Sequence, residues 1–271
     1  MTIRRTSTAV LACAAAAAVG GCGGSDAASC VAAPGGAPGA IEAPADCPVN
    51  TVIAVDATGA INDRKLAREV SSAALRAAEQ TITAGGHLRM LIFAGDANAV
   101  KVIYDDEVPT LEQSDETRRG PDEQNLRAAL AGTLDGALGV SSADRALRSE
   151  IRELARGGTS DIARAVRNAL RTLAQYSGAK ALTLVSDGAQ ASDQLMLARR
   201  MDAGDSAASL GDTLGKLIGT ASEVDVLQVA GLGRLPDRVN QSARRTDGLV
   251  EIWTQACERT GAARCAMTTE L

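Results

Sequence analysis

The chain is predicted to fold as an α/β protein, a doubly wound and mainly parallel central sheet with helices on both faces and a short antiparallel edge strand. Three observations point there. Short apolar runs rich in β-branched residues alternate with longer stretches of helical periodicity almost throughout. Those runs are continuously apolar, as strands covered on both faces are, where a half-exposed sheet would alternate. Two of them end on an aspartate, Asp56 and Asp187, and open parallel sheets place their ligands at the carboxyl ends of strands.

The first residues stand apart from that pattern. Arg4 and Arg5 form a positive n-region, and residues 8–19 an apolar stretch too short to span a bilayer comfortably. It runs into Val19-Gly20-Gly21-Cys22, which resembles a bacterial lipobox. That resemblance implies a signal peptide over residues 1–21, cleavage before Cys22 and a lipid anchor on that cysteine. Residues 22–48 are rich in Gly, Ala, Pro and Ser, cannot bury a core and read as a flexible tether. Residues 49–271 are left as one domain of ordinary size. The expected setting is the extracytoplasmic face of a cell membrane, held by lipid alone.

The cysteines suit that compartment. Of the chain's 6, Cys13 leaves with the signal and Cys22 carries the lipid, which leaves Cys30, Cys47, Cys257 and Cys265. An oxidising compartment favours disulfides, and four cysteines allow three pairings. The local solution pairs Cys30 with Cys47 and Cys257 with Cys265; a tie from Cys47 to the last pair would staple the domain's ends together. A zinc site is a poorer fit, since no close CxxC pair exists and His87 is the single histidine.

Along the domain, residues 49–63 (VNTVIAVDATGAIND) open with a buried strand that ends at Asp56. Leu66, Val70, Ala74 and Ile82 then mark one face of a helix over Arg64–Ala84, stopped by Gly85-Gly86. Residues 88–94 are a second strand, and the alternating residues 99–104 an edge strand. Residues 112–125 are charged and apolar-free, and read as a solvated loop. Leucines from Leu126 to Leu154 mark one or two helices broken near 139–142. A glycine turn with Thr159 and Ser160 precedes a helix bearing Ile162, Val166 and Leu173, and either hydroxyl is a natural N-cap. Residues 181–185 form a strand ending Ser186-Asp187-Gly188, followed by a helix around Leu214, a strand over 224–230, a final helix around Trp253 and a strand over 264–268.

Asp56 with Thr58, the pair Thr159-Ser160, and Asp187 all fall at strand ends or helix starts. A doubly wound sheet brings such positions to one edge. Carboxylates and hydroxyls without sulfur or imidazole suit a hard cation, Mg2+ or alternatively Mn2+ or Ca2+.

In order and in context, DATGA, GGTSDI and LVSDG are similar to the motifs of the von Willebrand factor type A domain and its metal-ion-dependent adhesion site. That family carries Asp-x-Ser-x-Ser after its first strand, a threonine in a glycine-rich turn, and an aspartate closing a later strand. The resemblance covers residues 49–271 and implies metal ligands at Asp56, Thr58, Ser160 and Asp187, with Thr159 as the substitute for Ser160. It implies binding without turnover: the cation accepts a carboxylate from a protein or cell-envelope partner. One departure matters, because Ala60 stands where the family has its second serine. Another water, or Asn62 or Asp63, would have to replace that ligand.

An enzyme is the rival. DATGA also resembles the DKTGT sequence of haloacid-dehalogenase-type phosphoryl-transfer proteins, with Asp56 as nucleophile. That chemistry asks for a lysine, for which Lys180 is the candidate, and for an acid where Ala191 stands. No G-x-S-x-G elbow supports serine hydrolysis, and Gly231-Leu232-Gly233 reads as a turn. Aromatics make up 1% of the chain, its formal charge is −5, and its basic residues form no stripe, so nucleic acid is not the expected partner.

Overall fold

A computed structural model describes residues 33–34, 41–42, 47–95, 100–109, 116–142, 144–156, 160–235 and 242–271. The expectations for residues 1–21, Cys22, Cys30 and Thr159 lie outside the described residues. Two short strands, β1 (Ala33–Pro34) and β2 (Ile41–Glu42), pair antiparallel within the stretch read as a tether.

The domain is the expected doubly wound α/β sheet. Its strands are β3 (Val49–Asp56), β4 (Gly86–Phe93), β5 (Val100–Val108), β6 (Ala179–Val185), β7 (Val226–Ala230) and β8 (Cys265–Thr268). They lie in the order β5-β4-β3-β6-β7-β8, all parallel except β5, which runs antiparallel to β4 at the edge. Every residue of β3 is buried, as its central place and the apolar run from Val52 to Val55 require. Alternate side chains of β3 serve the two faces. Ile53 and Val55 pack under α1 (Arg64–Ala84), α2 (Glu116–Leu138) and α3 (Arg145–Ala155). Val52 and Ala54 face α4 (Ile162–Leu173), α5 (Leu197–Asp202), α6 (Ala207–Ile218) and α7 (Ala243–Thr260).

An aliphatic core with few rings needs close helix contacts to reach native density. Gly211 and Gly215 supply one: a Cβ at either would lie 2.6 and 2.7 Å from the Cβ atoms of Gln255 and Arg259, so α6 and α7 meet backbone to backbone. The largest enclosed side chains are Trp253 and Phe93.

Cys257 and Cys265 form a disulfide across 8 positions, joining α7 to β8. Closing so short a loop removes about 2.5 kcal/mol of unfolded-chain entropy. Cys47 is disulfide-bonded as well. With Cys257 and Cys265 paired to each other, the alternative staple from Cys47 to the carboxyl-terminal pair is excluded. No helix among the described residues is long and apolar enough to cross a membrane.

The charged segment differs from its expected form: from Glu116 onward it is the first half of α2. Apolar periodicity is absent there because ion pairs, not burial, hold it. Arg119 pairs with Glu123 at 2.8 Å along the helix, and Arg127 reaches Glu79 on α1 at 2.9 Å. The leucines take over further along, with Leu130, Leu134 and Leu138 buried. The break near 139–142 is present, where Gly139 has φ 77° and α3 follows. The short helix α5 went unread, since six residues show no period.

Candidate functional site

The order in which strands are added reverses between β3 and β6, and the crevice outside their carboxyl ends is where open α/β sheets bind ligands. Asp56 ends β3 and Asp187 lies two residues beyond β6. Past Asp56 the chain turns over Thr58 and Gly59, runs through a single 3-10 turn at Ala60–Asn62, and enters α1.

The Asp56 carboxylate is buried and fully engaged. Its Oδ1 accepts from the Thr58 backbone N–H at 2.9 Å, a local turn that aspartate commonly makes. Its Oδ2 accepts from the Ser160 hydroxyl at 2.8 Å and from the Ser186 hydroxyl at 3.0 Å. Three chain segments far apart in sequence therefore converge on one carboxylate. Hydrogen bonds of this kind fix its orientation.

Ser160 is not the N-cap of α4. Asp161 caps it, accepting from the Arg164 N–H at 3.4 Å. Ser160 instead bridges the loops after β4 and β6. Its N–H donates to the Ala191 carbonyl at 3.1 Å and its carbonyl accepts from the Ala191 N–H at 2.8 Å. The next N–H, of Asp161, donates to the Gly95 carbonyl at 3.2 Å. Freed from capping, the Ser160 hydroxyl faces Asp56.

Asp187 has a different environment. Its Oδ1 accepts from the Ala189 N–H at 2.8 Å, and it forms no ion pair among the described residues. Burial, and then the Asp56 charge beside it, raise its carboxyl from 3.8 to about 7, against the lowering pull of the Ala189 N–H. The turn that presents it needs a glycine: Gly188 has φ 75°, and a Cβ there would sit 2.7 Å from Trp253 Nε1. Trp253 Nε1 donates to the Gly188 carbonyl at 2.9 Å, anchoring the turn to α7.

A cavity of about 20 Å3 lies against Asp56, Ala60, Ser186 and Asp187, with Arg234 at its border. That is room for one water or one ion. The Thr58 hydroxyl is buried with no hydrogen-bond partner, which is costly for a polar group unless something else completes it. Two carboxylates, three hydroxyls and an ion-sized space fit a hard cation such as Mg2+, Mn2+ or Ca2+. Asp56, Thr58, Ser160, Ser186 and Asp187 are the residues that would hold it. No three His, Cys, Asp or Glu side chains converge among the described residues, so a cation here must rest on hydroxyls as well as acids.

Neither substitute for the serine missing at Ala60 is in place. Asp63 caps α1, accepting from the N–H groups of Lys65 and Leu66 at 3.0 and 3.1 Å. Asn62 is exposed and borders a separate groove. Ala60 lines the small cavity and offers it no side-chain oxygen.

Two contributors escaped the sequence reading. Ser186 was passed over for the aspartate beside it; its signal was a hydroxyl as the first polar residue after an apolar strand. Gln190, 1% exposed, accepts from the Ala163 N–H at 2.8 Å and donates to Asp161 at 3.0 Å and Ser192 at 2.9 Å. It braces the Ser160 turn against the loop after Asp187, and no local pattern marks it. Lys180 is at the far end of the sheet: it lies opposite Asn50 and pairs with Glu223 at 3.4 Å. Six strand residues separate that register from Asp56, about 20 Å.

Among known proteins, no family model matches this chain and no curated sequence matches it.

Proposed function

We propose that the chain is a lipid-anchored, extracytoplasmic binding domain of the von Willebrand A type. Its Asp56–Asp187 site holds a divalent cation, with Mg2+ the first choice, and the cation accepts a carboxylate from a protein or cell-envelope partner. The observation that carries this reading is the pair of neighbouring carboxylates at the switch point, Asp56 buried and Asp187 half-buried, without an ion-pair partner among the described residues. Such a pair is tolerated only with a proton or a cation between its members. The unpartnered Thr58 hydroxyl and the ion-sized cavity supply the remaining chemistry. A cation held partly by neutral hydroxyls keeps positive charge for an incoming carboxylate. The antiparallel edge strand and the order of the three motifs are in keeping with the same family.

Phosphoryl transfer fits less well. Both Asp56 oxygens already accept hydrogen bonds, which blunts a nucleophile, and Lys180 is too distant to act with it.

Thermal unfolding in EDTA and in millimolar Mg2+ tests the proposal. At ten times Kd a bound cation stabilises the fold by about 1.4 kcal/mol, a rise of roughly 3–6 °C. Asp187→Ala should abolish the rise. An unchanged melting temperature with Mg2+, Mn2+ and Ca2+ would reduce the domain to a metal-free scaffold. Phosphatase turnover lost in Asp56→Asn would replace binding with catalysis.

A further inference from the structure

Immediately beyond the Asp56 turn lies a second concave surface. A groove of about 430 Å3 runs between the 3-10 turn with the start of α1 and the segment joining α2 to α3. A second groove of about 330 Å3 continues it along α3, and Ser141, Ser142, Arg148 and Arg152 border both. Four guanidinium groups line this surface, Arg64, Arg145, Arg148 and Arg152, in a chain whose formal charge is −5. Positions 145, 148 and 152 share one face of α3, and its first and last arginines are about 10 Å apart along the axis.

Among the described residues, one acid, Asp144, lines this surface beside the four arginines, and it and the neighbouring acids of α3 already have partners. Asp144 accepts from the Leu147 N–H at 2.8 Å as the cap of α3. Glu150 pairs with Lys101 at 2.7 Å, and Glu153 pairs with Arg156 at 2.7 Å. Arg145, Arg148 and Arg152 form no ion pair among the described residues. Arg148 Nε is buried without an acceptor, its guanidinium lying on Gly139, where a Cβ would collide with it. Arg64 alone has a partner, donating to the Val140 carbonyl at 2.9 Å. A buried donor left open and three guanidinium forks without an ion pair among the described residues call for oxyanions.

We infer that this arginine-lined groove binds an acidic peptide segment of the partner, beside the carboxylate taken by the cation; the inference rests on the binding reading above. The arginines are spread along a line, and carboxylates strung on a backbone match that spacing. A single phosphate would need donors converging on one point. Arginine forks meet carboxylates two oxygens at a time, which selects planar acids over diffuse negative charge. An acidic partner is repelled by the rest of the domain and drawn to this face, so the groove also sets its orientation.

The test is fluorescence polarisation of a labelled decapeptide of aspartate and glutamate, titrated with the full chain in EDTA. Working without metal separates the groove from the cation site. Binding should appear at low salt and fall steeply between about 50 and 300 mM NaCl, as screening requires. Arg148→Gln/Arg152→Gln should weaken it about ten-fold or more, while the melting response to Mg2+ stays as in the parent. Because Arg148 packs on Gly139, Arg145→Gln/Arg152→Gln provides a second variant that leaves that contact intact. Equal peptide affinity in both variants, or no binding at low salt, would overturn the inference. So would tripolyphosphate binding in place of the peptide and lost in the same variants, which would reassign the groove to phosphate chemistry. Peptide binding without any response to Mg2+ would uphold the groove and contradict the cation site.

Discussion

Asp56 ends one central strand and Asp187 follows its neighbour by two residues, yet their surroundings treat them in opposite ways. Asp56 accepts three hydrogen bonds from three separate segments, so its charge is held in place. Asp187 accepts one, and burial beside Asp56 pushes its carboxyl up to about 7. The first is a hub that positions the loops. The second carries a charge that the metal-free fold does not want. Under the proposed function, the first would organise the site before a cation arrives and the second would gain most from its arrival.

Removing the two acids therefore has opposite consequences for the metal-free protein. Asp56→Ala strands the Ser160 and Ser186 hydroxyls and the Thr58 N–H, at about 1–3 kcal/mol each, partly offset by relief of Asp187. A net loss of about 3 kcal/mol is expected from urea denaturation in EDTA. A neutral result would show that Asp56 organises nothing.

Asp187→Asn should stabilise the metal-free protein by about 2 kcal/mol at pH 8, allowing for screening at a partly exposed group. The sign follows from linkage. With a folded-state value of about 7 and an ordinary one of 3.8, the folded protein binds more protons than the unfolded chain between those values. Stability contributed by protonated Asp187 is therefore present at about pH 4 and lost as pH rises through about 7. The difference in urea midpoint between parent and Asp187→Asn should widen across that window and level off above it. A difference independent of pH would show that Asp187 is not strained.

Smaller effects sharpen the same contrast. Gly188→Ala forces an L side chain into φ 75° and against Trp253, and should lower stability by about 1.5 kcal/mol while weakening the cation response. Thr58→Val removes a hydroxyl that bonds nothing in the fold, so metal-free stability should move by less than about 0.5 kcal/mol. The same substitution should sharply reduce the stabilisation by Mg2+. A large loss of stability in EDTA would mean that Thr58 serves the fold and not a ligand.

The sheet was legible because its signals are local. The apolar run before Asp56, the period of α1 and the glycines that stop it are written in contiguous residues. The first half of α2 was not legible, because the pairs Arg119–Glu123 and Arg127–Glu79 replace burial there. In the site, the residues at strand ends were found from position and residue type. Their division of labour was not. Whether Ser160 caps a helix or bonds Asp56 depends on Asp161 taking the cap, where Gln190 Nε2 also donates to its carboxylate from 29 positions away. Ser186 and Gln190 act through contacts with residues 130 and 27 positions away in sequence, which no window over the chain can see.

The central claim is that a cation resides between Asp56 and Asp187. Anomalous diffraction from a crystal soaked in Mn2+ tests it most directly. A single anomalous peak is expected between the two carboxylates, within ligand distance of the Thr58 hydroxyl. No peak there, with Asp187 protonated against Asp56 and the Thr58 hydroxyl bonded within the protein, would contradict it.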